Sequence, residues 1–194
     1  MRSLIVSAPG RLCLFGEHMD WCRRSVLPTA IDMRVFVQAK ATGKDLVEVY
    51  SHPPFEPHTS FPTSNPNINH RGDLKYIHGV VEAYRRRGIK INGVEIRFLK
   101  AEETAIESKE PSRKLVDLPA QKGLSSSAAI CVATSAIIDL LRSQNPEEYL
   151  KDPQKLSFYA DLAYTAERKI LGINCGQMDQ YASAFGGILY IDCG

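Results

Sequence analysis

The sequence predicts a domain of the α+β class, and two observations support this prediction. Runs with the apolar patterns of strands fill the first half of the chain, namely LIVSAPGRLCLFG, RVFVQAKAT, DLVEVYSH and INGVEIRFLKA. Helical spacing of apolar residues dominates the second half, after residue 128. Strands grouped before helices are typical of this class.

Turn residues separate the elements of the first half. Pro9 and Gly10 divide the first run into two strand-like pieces, and Gly43 predicts a hairpin between the next two runs. Residues 52–70 are rich in proline and aperiodic, which predicts a loop, and their histidines lack the regular spacing of metal ligands. A helix follows and ends at Gly88. Its apolar face consists of Leu74, Ile77, Val81 and Tyr84.

The second half is predicted to contain three helical stretches and a final strand. A charged, solvated excursion, residues 102–114, precedes them. The helical stretches cover about 129–142, 155–171 and 180–185, and GGILYID (186–192) closes the chain as a strand.

The composition is that of an ordinary globular protein, with 44% hydrophobic and 24% charged residues and a net charge of +2. That charge is too small to indicate nucleic acid as a partner, and the basic run 85–87 suits a helix end. The five cysteines show no paired spacing, which favours a reducing compartment. No stretch resembles a signal peptide or a membrane span, so we expect a cytoplasmic protein without a membrane partner.

The segment PAQKGLSSSAA, residues 119–129, places a glycine and three serines at the start of an apolar helix. Unpaired N–H groups and the helix dipole make such a start a site for anions. Gly123 permits a tight loop, small serines let a phosphate approach the backbone, and Lys122 can offset its charge. The segment lacks the Gly-Lys-Ser/Thr ending of a Walker A loop. Read alone, it equally suits a helix start packed against a sheet.

The segment SAPGRLCLFGEHMDW, residues 7–21, carries polar groups just after an apolar run. Glu17, His18 and Asp20 are suited to hydrogen-bond a polyhydroxylated ligand, and Arg11 can stabilise negative charge on a phosphoryl group. A polar turn with a surface ion pair is the alternative interpretation.

A third segment, residues 165–187, places Asp179 where a helix begins after a glycine-containing loop. A carboxylate beside a substrate hydroxyl can accept its proton during phosphoryl transfer. Glu167 on the preceding helix is a candidate ligand for magnesium. Asp179 as a simple helix-start carboxylate is the alternative.

Taken together and in this order, APGRLCLFGEHMDW, PAQKGLSSSAA and NCGQMDQ resemble the GHMP small-molecule kinases, most of all their galactokinase and N-acetylgalactosamine kinase branch. That branch carries segments of the form GRxNxxGEHxDY, GLSSSAA and CGxMDQ. The resemblance implies an α+β N-terminal domain like domain 2 of ribosomal protein S5, covering residues 1–194. It also implies ATP bound in a loop unlike Walker A.

The resemblance also implies roles for individual residues. Asp179 would be the catalytic base with Arg11 as its electrostatic partner, while Ser127 and Glu167 would bind Mg²⁺. The residues implied to hold the triphosphate of ATP, beside Lys122, are Gly123, Leu124, Ser125, Ser126 and Ser127. Those implied to bind the sugar are Glu17, His18, Asp20, Cys175 and Gly176.

The sequence departs from the family pattern next to the implied sugar site. Cys13 replaces the usual asparagine, Trp21 the usual tyrosine, and Arg23–Arg24 the usual glycine pair. The sugar itself is therefore left open. The arginine pair suits either an acidic or phosphorylated sugar or a solvated turn.

The function expected from these segments is ATP-dependent phosphorylation of a sugar hydroxyl, with the anomeric hydroxyl of galactose or a related sugar as acceptor. The alternatives are a non-catalytic sensor of sugar and ATP, and a kinase of the same superfamily for a non-sugar alcohol such as mevalonate. Family members continue into a C-terminal domain, so we expect a missing domain or a second chain to complete the site. We also expect poor activity and solubility for this chain alone.

Overall fold

The computed structural model describes residues 3–53, 55–66, 72, 74–104 and 115–194. Its strands are β1 (Ser3–Phe15), β2 (Leu27–Ala41), β3 (Val47–Tyr50), β4 (His58–Phe61), β5 (Val94–Leu99) and β6 (Val116–Asp117). Its helices are α1 (Lys75–Arg86), α2 (Ser126–Leu140), α3 (Pro146–Tyr149), α4 (Pro153–Tyr164) and α5 (Met178–Phe185). A π turn, Thr165–Ile170, continues α4, and short 3-10 helices cover Asp20–Cys22 and Ala101–Glu103.

The strands form one mixed sheet in the order β1-β2-β5-β3-β4, with β6 pairing to β2 beside that path. Neighbours along the path are antiparallel except β5 and β3, which are parallel, as are β2 and β6. The predicted hairpin between β2 and β3 is wrong, because β5 lies between them. Gly43 still turns the chain at φ +73°, but β3 then pairs with the edge of β5 that faces away from β2.

The first strand is continuous where two pieces were predicted. Its pairing with β2 shifts register between Pro9 and Arg11, so the Pro-Gly dipeptide produces an irregularity rather than a break. At the other end of the chain, the predicted final strand forms only antiparallel bridges, Val26 to Ile191 and Thr29 to Ile188. It lies beside the start of β2, whose other edge is paired with β1.

Helices pack on the sheet through its apolar side. On α1 the predicted face is confirmed, since all four of its residues are buried, and Gly88 follows at φ +70°. The phenol of Tyr84 donates to the carbonyl of Ser135 across 2.6 Å and joins α1 to α2. Helix α2 contacts β1 and β2, and α4 and α5 contact α2, so the start of α2 lies close to β1. The mixed sheet with its helical layer confirms the α+β class.

Two predicted irregular regions are only partly described. Within the loop 52–70, residues 58–61 form β4, since they pair with β3, while residues 54 and 67–70 lie outside the described residues. Within the charged excursion, residues 105–114 also lie outside them. No helix in the described ranges combines the length and apolar character needed to cross a bilayer.

Candidate active site

Side chains from three distant segments meet at the buried guanidinium of Arg11. Its Nε donates to Oδ1 of Asp179 across 2.7 Å, and its Nη2 donates to Oε1 of Glu17 across 3.3 Å. Its Nη1 donates to the carbonyl oxygen of Gly123 across 3.3 Å. Arg11 is 8% exposed, whereas the Asp179 side chain is 25% exposed. The structure therefore brings the three predicted segments into contact and leaves the Asp179 carboxylate open to a ligand.

Gly10 explains how the serine loop, residues 119–127 at the start of α2, approaches β1 so closely. A Cβ at this position would lie 2.7 Å from the carbonyl oxygen of Leu124, which is closer than real contacts allow. Without that atom, the Arg11 N–H donates to the same oxygen across 3.1 Å. The irregularity in β1 is thus the point at which the loop docks.

Asp20 joins the first predicted segment to the third. Its Oδ2 accepts a hydrogen bond from the N–H of Met178 at the start of α5 across 3.1 Å, and its Oδ1 accepts one from the N–H of Trp21 across 3.0 Å. A Cβ on Gly176 would overlap this carboxylate, so a larger residue there would displace the Asp20 side chain. Asp20 and the turn at Gly176 therefore form one wall of the site.

Two predicted residues lie apart from the Arg11 network. His18 is exposed, has a left-handed backbone at φ +64°, and meets Trp21 edge-on with ring centroids 5.6 Å apart. Lys122 is exposed and has no ion-pair partner within the described part of the chain. Both side chains are free to reach a bound ligand.

The serine loop enters α2 through left-handed backbone at Gly123 (φ +71°) and Ser125 (φ +60°). Ser125 is the N-cap residue, yet its side chain does not cap the helix. Its buried Oγ has no hydrogen-bond partner among the described residues. An unpaired hydroxyl beside the free N–H groups of a helix start suits an anionic ligand.

Glu167 is buried beside this loop, on the π turn. It is 2% exposed, and it accepts a hydrogen bond from Nε2 of Gln180 across 2.6 Å, with the hydroxyl of Ser127 nearby. Burial raises the pKa of Glu167 to about 7, and the nearby Asp179 charge adds to this, although the polar groups of Gln180 and Ser127 oppose it. A hydroxyl next to a carboxylate that no lysine or arginine of the described ranges pairs with fits a hard divalent ion such as Mg²⁺, which prefers oxygen ligands.

Sequence reasoning assigned no role to Gln180, although it is the last residue of NCGQMDQ, because its contact with Glu167 depends on the fold. It is completely buried, and the nitrogen that contacts Glu167 also lies 3.7 Å from Sγ of Cys175. Burial raises the pKa of Cys175 to about 12, with a contribution from the Glu167 charge. The thiol therefore stays protonated near neutral pH.

A cavity of about 340 Å³ opens beside the start of α2 and was also missed. Ser126 and Ser127 line it on the loop side. Its apolar lining includes Phe55, Tyr76, Phe98 and Ile130. These residues come from separate elements, so no sequence motif marks them. A pocket of this size and character can hold a flat ring system.

Among the residues that depart from the family pattern, Cys13 makes a hydrogen bond and Arg23–Arg24 lie at the surface. The thiol of Cys13 donates to the carbonyl of Phe15 across 3.2 Å, and its pKa is raised by burial and by Glu17. Arg23 adopts φ +54° to end the 3-10 helix. The side chains of Arg23 and Arg24 are exposed.

Two family models match this chain. One, described as the GHMP kinases N terminal domain, matches residues 75–187, and the other, described as the galactokinase galactose-binding signature, matches residues 2–41. Together they cover every element that contributes to the Arg11 network.

Curated proteins and solved structures agree with these matches. The chain is 32% identical over 196 residues to a galactokinase of Pyrococcus furiosus, covering 99% of this chain and 47% of that protein. It is 33% identical over 191 residues to a galactokinase of Thermotoga neapolitana, covering 93% of this chain and 43% of that protein. The chain thus spans about half the length of the curated relatives it matches.

Among solved structures, Lactococcus lactis galactokinase complexed with galactose superimposes with a TM-score of 0.79 at 23% identity, covering 99% of this chain and 45% of that one. Methanococcus jannaschii mevalonate kinase superimposes with a TM-score of 0.71 at 23% identity, covering 99% and 54% of the two chains. At these identities the superpositions establish a shared fold.

Proposed function

This chain belongs to the GHMP kinase family, and on that premise we propose that it forms the sugar- and nucleotide-binding half of an ATP-dependent sugar kinase. The acceptor is the anomeric hydroxyl of galactose or a related sugar, a choice supported by the galactokinase signature and the curated relatives. The observation that carries the proposal is the Arg11–Asp179 ion pair of 2.7 Å in contact with the serine loop.

In this proposal Asp179 is the catalytic base. Its partly exposed carboxylate accepts the proton of the sugar hydroxyl as that oxygen attacks the γ-phosphorus of ATP in line with the leaving ADP. Arg11 fixes the direction of the carboxylate and places positive charge near the transferring phosphoryl group. Both effects require the hydroxyl to be held in position.

The nucleotide occupies the serine loop and the adjoining cavity. The flat base of ATP fits the apolar lining of that cavity, and the triphosphate lies along Gly123–Ser127 with Lys122 nearby. Ser127 and Glu167 would hold Mg²⁺, which when bound neutralises phosphate charge. The hydroxyls and N–H groups of the loop orient the phosphate oxygens.

The sugar lies against the wall formed by Asp20 and Gly176, next to Asp179. Glu17, whose side chain is 46% exposed, and the exposed His18 offer hydrogen bonds to sugar hydroxyls. The backbone around Cys175 completes this set.

We further propose that a C-terminal half, either as further chain or as a second chain, packs on an exposed apolar surface. This surface consists of side chains that are 46% to 73% exposed, namely Leu12, Leu14, Phe15, Ile188 and Tyr190. They lie on β1 and on the final segment, which flank the start of β2. Patches of this kind are typical of interaction surfaces. High turnover by a monodisperse 194-residue chain would contradict this part of the proposal.

The test of the catalytic proposal is Asp179→Asn. ADP release with galactose and Mg·ATP is measured under single-turnover conditions, so that slow transfer by an incomplete site is still visible, first with the chain alone and then with the C-terminal half of a galactokinase added. We expect a loss of transfer of at least about a hundredfold, with nucleotide affinity nearly unchanged. The control is Asp161→Asn. The Asp161 carboxylate accepts a hydrogen bond from the hydroxyl of Tyr181, whereas that of Asp179 accepts one from Arg11.

The outcomes separate the competing functions. Loss of nucleotide binding in Asp179→Asn would mean that this residue is structural. Binding of galactose and Mg·ATP by the unmodified chain with no ADP formed under either condition would favour a sensor. ADP release with mevalonate and none with sugars would favour a non-sugar acceptor.

A further inference from the structure

One buried amide connects the two sides of the candidate site. Gln180 lies on α5 directly after Asp179 and is completely buried. Its Nε2 lies 2.6 Å from Oε2 of Glu167 and 3.7 Å from Sγ of Cys175. The same nitrogen therefore contacts the carboxylate on the nucleotide side and the loop on the sugar side.

The chemistry of the neighbours fixes the orientation of this amide. When Glu167 is ionised, as cation binding requires, the reverse orientation would place the amide oxygen 2.6 Å from a carboxylate oxygen, and the two acceptors would repel each other. The Cys175 thiol, protonated near neutral pH, is a weak acceptor for the second N–H. Gln180 thus donates one N–H to each side of the site.

Packing alone does not explain a glutamine here. Its Oε1 is buried and has no partner among the described residues, and a buried unpaired acceptor is destabilising. An apolar side chain of similar size would avoid that penalty. The favourable contacts of the amide are those to Glu167 and Cys175, which points to a role at the site.

We propose that Gln180 is a positioning residue that couples the binding of magnesium nucleotide to the binding of sugar. The inference rests on the proposed function. A cation bound by Glu167 orders that carboxylate, and through Gln180 the order extends to Cys175 and the adjoining turn at Gly176. The sugar then binds to a loop that is already ordered, so its binding costs less conformational entropy. The nucleotide and the sugar therefore bind with positive cooperativity.

The test is calorimetric titration of galactose into the full 194-residue chain, with and without saturating Mg²⁺ and the non-hydrolysable analogue AMP-PNP. We expect the nucleotide to raise galactose affinity by about fivefold or more. Gln180→Leu should reduce this factor to about one. Cys175→Ala should do the same from the other side, whereas Cys175→Ser retains an acceptor and should preserve the factor.

The matched control is Ser183→Ala. Ser183 lies on the same helix, is equally buried, and has an Oγ without a partner in the described residues, but it contacts neither Glu167 nor Cys175 through a hydrogen bond. Its variant should keep the full coupling. Near-UV circular dichroism verifies the fold of each variant.

Retained coupling in folded Gln180→Leu or in Cys175→Ala overturns the inference, as does binding of both ligands by the unmodified chain without any coupling. If Gln180→Leu does not fold, the two Cys175 variants decide. Absence of binding of either ligand to the unmodified chain would instead contradict the proposed function itself.

Discussion

Two buried carboxylates, Glu82 on α1 and Glu167 on the π turn, have similar burial and opposite electrostatic surroundings. They are 5% and 2% exposed. Glu82 accepts hydrogen bonds from Nε of Arg85 at 2.6 Å and from Nε of Arg86 at 2.8 Å. For Glu167, no arginine or lysine among the described residues plays that role.

The pKa values of the two groups move in opposite directions. The hydrogen bond from Arg85, with help from Arg86, lowers the pKa of Glu82 despite its burial. Burial raises the pKa of Glu167 to about 7. Glu82 is therefore a completed structural ion pair, whereas Glu167 carries an electrostatic cost that a bound cation would remove. This difference separates a fold-stabilising carboxylate from one that belongs to a ligand site.

Of the two substitutions at these carboxylates, Glu167→Gln should change the free energy of unfolding more. Because the folded pKa of Glu167 is raised from 4.5 to about 7, its favourable contribution is complete below pH 4.5 and lost as pH rises to about 7. The variant should gain stability relative to the unmodified protein by up to roughly 3 kcal/mol between pH 4 and pH 8. Urea unfolding with EDTA at several pH values measures this difference. A flat difference would contradict the raised pKa.

Glu82→Gln should show a smaller effect of the opposite sign. The folded pKa of Glu82 is lowered, so its contribution is present above pH 4.5 and lost on acidification. We expect a loss of about 1–2 kcal/mol at pH 7 that shrinks towards pH 3. The control is Glu147→Gln, at an exposed position on α3, which should change the free energy of unfolding by less than about 0.5 kcal/mol. Equal losses at pH 7 and pH 3 would mean that the charge of Glu82 does not matter.

Local patterns predicted much of the fold and none of the longer-range pairing. The apolar face of α1 and its end at Gly88 follow from spacing and glycine chemistry alone. The β2–β3 hairpin failed because β5, more than forty residues after β3 in the sequence, pairs with both strands, and local sequence carries no signal for that pairing. The register shift at Gly10 lies where Leu124 approaches β1, a contact between residues more than a hundred positions apart in the sequence.

In the candidate site, too, some residues could be predicted from the local sequence and others depend on contacts made by the fold. Arg11, Asp179 and the serine loop stand out because each lies in a recognisable segment. The role of Gln180, although it is the last residue of NCGQMDQ, and the apolar cavity arise instead from neighbours that the fold supplies: a buried carboxylate for Gln180, and side chains from separate elements for the cavity.

The most direct test of the account compares how strongly Mg²⁺ improves the binding of AMP-PNP to the unmodified chain, to Glu167→Gln and to Glu82→Gln. Mg²⁺ should tighten binding about tenfold in the unmodified chain and in Glu82→Gln, and less than about threefold in Glu167→Gln. An equal improvement in all three proteins, measured by calorimetry at pH 8, would contradict it.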